Sequence, residues 1–216
     1  VETRDKPSLR LQSIFDEGHA IHKKWQGYFS EMGVLYGRWY CENENHYEWG
    51  TSADLLSDMD HFFEYKEVPL HSNKHRIAGH SDGWIKNIGK DCLIEIKSIG
   101  GGTIRLEEPS LFGADNNVES AWKNIRRPFR GHLLQGQMYL ELAHRMFGDD
   151  APKEIVFIYE LKADQDYKEF TVKADYDIVE RVFYKAEQIN EAIKNNQMPK
   201  CNIDPEKGCK SCNLIP

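Results

Sequence analysis

The chain has 216 residues, 40% hydrophobic, 12% aromatic and 29% charged, enough to bury one substantial core. A formal charge of -7 excludes a surface that coats nucleic acid throughout, but leaves room for a local basic groove. No apolar run is long enough to span a membrane, and residues 1–25 are too charged for a secretory signal, so an intracellular, cytoplasmic protein with no membrane partner is expected.

Residues 8–32 carry apolar side chains at helical spacing (Leu11, Ile14, Phe15, Ile21, Trp25, Tyr28, Phe29) and predict one amphipathic helix ending near Gly33. Residues 34–60 mix aromatics with turn formers and show no period. Residues 61–70, 75–86 and 92–98 are short, β-rich and separated by turn residues, which predicts three consecutive strands of an antiparallel meander. A Gly-rich loop at 100–102 precedes a helical segment, 117–147, that Pro128 should divide. Residues 154–162 and 167–174 read as a hairpin, and 175–197 as a helix stopped by Pro199. The order predicts an α/β fold, a mixed β-sheet flanked by helices: one domain over 1–198, then a cysteine-bearing tail over 199–216.

The strand "CLIEIKS" alternates, so Glu95 and Lys97 share one face and Ile94 and Ile96 the other; one face is core and the other carries the chemistry. If this strand pairs with the one before it through the turn at 87–90, the Asp82 carboxylate approaches that of Glu95. Two adjacent carboxylates repel unless a cation neutralises them, and a divalent ion with oxygen ligands is such a cation. Lys97 is then within reach of the same centre, where an ammonium can orient water or stabilise charge developing on a phosphoryl oxygen. Taken alone, Glu-x-Lys is more often a solvated edge pair.

"GHSDG" followed by "IEIK" resembles the PD-(D/E)xK nuclease superfamily, with Ser81 where its usual proline stands. Two further elements resemble the RecB-like branch: Gly18 and His22 match Gly-x-x-x-His, and Gln135 and Tyr139 match Gln-x-x-x-Tyr, each pair one turn apart on a helix. The resemblance spans roughly residues 18 to 139 and implies the restriction-endonuclease-like fold. It implies that His22, Asp82, Glu95 and the backbone carbonyl of Ile96 hold Mg²⁺ or Mn²⁺, the imidazole favouring Mn²⁺. It also gives Lys97, Gln135 and Tyr139 roles toward the substrate or the site. His80 is placed to support the ligands from behind, and His19 reads as exposed helix surface.

"WKNIRRPFRGH" holds Lys123, Arg126, Arg127 and Arg130 with Trp122 and Phe129 interleaved; the cations suit phosphates and the aromatics suit unpaired bases. Of five cysteines, Cys201, Cys209 and Cys212 cluster near the end and Cys41 stands alone, an odd total that suits free thiols or metal sites better than disulfides. This layout resembles CRISPR-associated and helicase-linked RecB-like nucleases, which implies a [4Fe–4S] cluster on Cys41, Cys201, Cys209 and Cys212. A zinc site, with His46 able to replace one thiolate, stays open. Cys92 is assigned to the core.

The function implied is a metal-dependent deoxyribonuclease, an exonuclease on DNA ends or single-stranded DNA in recombination, repair or phage/CRISPR DNA processing, with a helicase or recombination protein as a candidate partner. The alternatives are an endonuclease of the same fold, a catalytically inactive DNA-binding module, and a metal-stabilised interaction protein.

Overall fold

A computed structural model describes residues 7–57, 60–114 and 116–197. The predicted cluster residues Cys201, Cys209 and Cys212 lie outside the described residues.

The first helix, α1 (Leu9–Glu31), opens on Ser8, whose hydroxyl accepts the Leu11 amide, and gives way to a hairpin of β1 (Leu35–Cys41) and β2 (His46–Thr51) turned at Asn45. A short helix α2 (Ser52–Leu55) and a strand β3 (Phe63–Tyr65) follow. The next strands are β4 (Val68–Ser72), β5 (Ile77–Ser81), β6 (Gly83–Ile85) and β7 (Cys92–Ile99). Helices α3 (Gly101–Glu107), α4 (Val118–Asn124) and α5 (Arg130–Phe147) lead to the hairpin β8 (Glu154–Leu161) and β9 (Tyr167–Lys173), and α6 (Asp177–Lys194) comes last among the described residues.

The main sheet runs β2-β1-β6-β7-β8-β9, with β3 also on β1; β7 and β8 are parallel and the other pairs antiparallel, so the sheet is mixed. Helices cover both faces. Ile21, Trp25 and Phe29 of α1 pack on Leu35, Ile94, Ile96 and Ile158, while Trp122, Leu140 and Phe183 of α4, α5 and α6 pack on Leu93, Ile99, Phe157 and Tyr159. Gly136 allows α5 to lie on β8, because any Cβ there would run into the Phe157 ring.

Three expectations need correction. The meander is split: β4 and β5 form a separate two-stranded ribbon, and the chain leaves it at Asp82 to join the main sheet. The Gly-rich segment is not a free loop, since Gly100 caps α3 and Gly101 begins it. Nor is the face of β7 that carries Glu95 separate from the core. The strand lies between β6 and β8 with helices on both sides, and Leu93, Ile94, Glu95 and Ile96 are all buried.

Candidate functional site

β6 pairs with β7 only from Gly83↔Ile94 to Ile85↔Cys92. Beyond Ile94, on that side of β7, the Asp82 carboxylate takes the place of a strand: its Oδ2 accepts the Ile96 amide at 2.6 Å. An extended residue turns its N–H and C=O toward the same neighbour, so the Ile96 carbonyl faces this edge as well. Ser81, in the position of the missing proline, is fully buried, and its hydroxyl donates to the Ile94 carbonyl at 2.8 Å. The break in the ladder is therefore held by side chains on both sides of it.

Around Asp82 the structure gathers the residues that the sequence scatters. His22 Nδ1 lies 3.1 Å from Asp82 Oδ1. Gly18 faces β7 here, and a Cβ on it would stand 3.3 Å from Ser98 Oγ, a tight contact for that hydroxyl. Gln26, one turn further, donates to the Asp82 carbonyl at 2.9 Å. Glu160, buried on β8, binds Lys24 and Trp25 at 2.6 Å each and fixes the rotation of α1 about its axis. On the other face of the sheet Lys97 Nζ lies 2.7 Å from Glu95 Oε1 and donates to Gln135 Oε1 at 2.9 Å, while Gln135 Nε2 donates to the Tyr139 hydroxyl at 2.8 Å. Tyr139 lies on Gly79 of β5, where a Cβ would come within 2.7 Å of its ring.

The electrostatics are those of a carboxylate pair short of positive charge. Burial, and then the charge of Asp82, push the Glu95 carboxyl up to about 8 against the pull of Lys97. Its Oε2 is buried with no hydrogen-bond partner. Burial by itself would lower His22, but the hydrogen bond to Asp82 and the charges of Asp82 and Glu95 outweigh it and raise the imidazole. Burial pushes Tyr139 up to about 12, which keeps the phenol protonated. His132, one turn before Gln135, is lowered to about 4 by burial and by Lys97, so it is a neutral ring bonded to the Tyr159 hydroxyl.

Among the described residues no three His, Cys, Asp or Glu side chains stand as a ready metal-binding group. The donors of His22, Asp82 and Glu95 are turned on one another, on the Ile96 amide and on Lys97. The donor chemistry nevertheless fits a divalent cation: two carboxylates and an imidazole, with one carboxylate oxygen buried and unpaired.

One acidic residue escaped the sequence reading. Glu67, between β3 and β4 at φ +59, is raised by burial and by Asp82, with His80 and His22 acting against this. It lies within an ordinary "EYKEV" run, and its positive φ is visible only in the fold. His80 is exposed and close enough to act on Glu67, and His19 is exposed as expected.

Arg126, Arg127 and Arg130 are exposed at the entrance to α5, and Lys123 is exposed and paired with Glu119 at 2.6 Å. The interleaved aromatics are not free to stack on bases: Trp122 is 1% and Phe129 3% exposed, both in the core, because the amphipathic segment turns its cations outward and its rings inward. Cys41 is fully buried on β1 opposite His46, whose imidazole lies 2.7 Å from Glu48 and 3.4 Å from Glu44. Cys92 packs at the edge of the α1-side core, and burial pushes its thiol up to about 11.

No family model matches the chain, and no curated protein matches it. Among solved structures it is similar to one described as "Crystal structure of SSO0001", at 18% identity and a TM-score of 0.31 over 64% of this chain and 52% of that one. The chain thus spans about half the length of that structure's chain, a likeness too distant to define the fold.

Proposed function

We propose that the chain is a divalent-metal-dependent deoxyribonuclease of the PD-(D/E)xK, RecB-like type, an exonuclease that works on DNA ends or single strands. The observation that supports it best is the buried, unpaired Oε2 of Glu95 beside Asp82 and Lys97. A structural carboxylate in a core is normally satisfied, whereas a ligand lacks a partner until its cation arrives.

In this reading His22, Asp82, Glu95 and the Ile96 carbonyl hold Mg²⁺ or Mn²⁺. The cation, when bound, supplies Lewis acidity toward a phosphoryl oxygen and a more acidic water. Lys97 points its ammonium at charge developing on the phosphate. Gln135 and Tyr139 hold that ammonium through their hydrogen-bonded chain, and Tyr139 remains a proton donor at neutral pH. Arg126, Arg127 and Arg130 contact the DNA backbone. Cys41 joins Cys201, Cys209 and Cys212 on a [4Fe–4S] cluster.

The test is incubation of purified protein with end-labelled single- and double-stranded DNA, with Mg²⁺, with Mn²⁺ and with chelator. Metal-dependent shortening of the label supports an exonuclease, internal fragments support an endonuclease, and intact DNA with every metal rejects the reading.

A further inference from the structure

Two cavities flank His22, one on each side of α1. The first, about 500 Å³, has Ser98 of β7 in its lining, Phe15 and His19 of α1 on one side and Gly102 and Thr103 of α3 on the other. The second, about 370 Å³, shares His19 and His22 and is lined by Lys23 and Arg38. A volume of about 300–1,000 Å³ is that of a pocket for one small ligand, so the first cavity is sized for a single nucleotide and not for a duplex.

The side chains differ across the ridge in a way that matches the two halves of a nucleotide. On one side Phe15 is 47% and Ile14 45% exposed, and Phe15, His19 and His22 follow one another at helical spacing toward Asp82. An aromatic face with a glycine opposite it suits a base slotted edge-first. On the other side Lys23 is exposed, and Arg38, stacked on Tyr47, lines the cavity with it, so two cationic side chains border the space. Glu67, from outside α1, also lines this second cavity.

Building on the nuclease reading, we propose that a single strand crosses α1 at His22, with the unpaired base beside the scissile phosphate in the first cavity and the neighbouring phosphate on Lys23 and Arg38 in the second. By this path a duplex must fray by at least a nucleotide before it is cut.

The full chain is tested by fluorescence anisotropy with a fluorescein-labelled oligothymidine and with a blunt hairpin duplex, in Ca²⁺, and by cleavage of both in Mn²⁺. Gly102 borders the first cavity, and a Cβ there would meet no atom within 4 Å, so Gly102→Leu adds bulk at the cavity border with no clash at its Cβ. Gly102→Leu and Phe15→Ala should each weaken oligothymidine binding about tenfold, the scale of one lost stacking interaction. Lys23→Ala should flatten the logarithmic salt dependence by about 0.7, one phosphate on a single strand. Metal-dependent cleavage by the wild type, combined with unchanged oligothymidine affinity in both cavity variants, overturns the strand path and leaves the nuclease reading intact. Absence of cleavage and of binding by the wild type overturns both.

Discussion

Glu95 and Lys97 hold one another at 2.7 Å on the face of β7 that α5 covers, yet only one of the two Glu95 oxygens is satisfied by this contact. Burial and the Asp82 charge both oppose the ionised acid, so a neutral amide relieves the repulsion between the two carboxyl groups. Glu95→Gln should lower metal-dependent cleavage by more than about a hundredfold, as should Lys97→Ala and Asp82→Asn, the scale of deleting a preorganised charge. Without added metal, the same Glu95→Gln protein should melt no lower than wild type, and by thermal scan should gain about 2–4 °C for each kcal/mol of relieved burial. Near-normal cleavage by Lys97→Ala would exclude the mechanism.

His22 reaches Asp82 from the face of the sheet that α1 covers, so in the proposed site its loss takes away the imidazole and its contact with Asp82 while leaving both carboxylates in place. His22→Ala should raise the Mn²⁺ concentration needed for half-maximal cleavage and recover part of its activity when Mn²⁺ is abundant. A metal titration identical to wild type would remove His22 from the shell.

His132 makes the stability of the fold depend on pH. Its folded value of about 4 lies below the ordinary 6.5, so between these limits the unfolded chain binds a proton that the folded chain refuses. Stability from this group is intact above about 6.5 and lost as the pH falls toward 4, by on the order of 1 kcal/mol after allowing for the ring's partial exposure. Denaturant titrations of wild type and His132→Asn at neutral pH and near pH 4 should show a smaller loss for the variant. Equal losses would show that the ring does not resist protonation.

Arg126, Arg127 and Arg130 are exposed, and the Trp122 and Phe129 rings of the same segment are not. Replacing all three with alanine should weaken DNA binding and reduce its salt dependence, with little effect on the rate at saturating DNA. Affinity unchanged at low salt would move the backbone contact elsewhere.

Cys41 has no exposed surface and lies opposite His46 on the neighbouring strand. Protein purified without oxygen should be brown, with iron and sulfide in equal amounts, and replacement of Cys41, Cys201, Cys209 or Cys212 should lower folded yield while Cys92→Ser keeps the metal. Colourless protein with a single zinc would replace the cluster by a Cys₄ or Cys₃His site, and protein with no metal at the cysteines would reject both.

Local pattern was enough for much of this molecule. Helical spacing marks α1, α5 and α6; strand alternation puts Glu95 and Lys97 on one face; and i, i+4 spacing sets Gln135 beside Tyr139. These follow from backbone geometry that each segment carries with it. What surrounds a segment is a different matter, because burial depends on elements distant in the chain. Whether Glu95 is solvated or enclosed is decided by α5 and β8, whether the meander continues past Ser81 by a side chain that takes the Ile96 amide, and whether Trp122 and Phe129 meet bases or core by the sheet beneath them. Glu67 shows the same limit from the other side. Nothing in its own neighbourhood singles it out, and only the approach of Asp82, His22 and His80 turns an unremarked glutamate into a neighbour of the site.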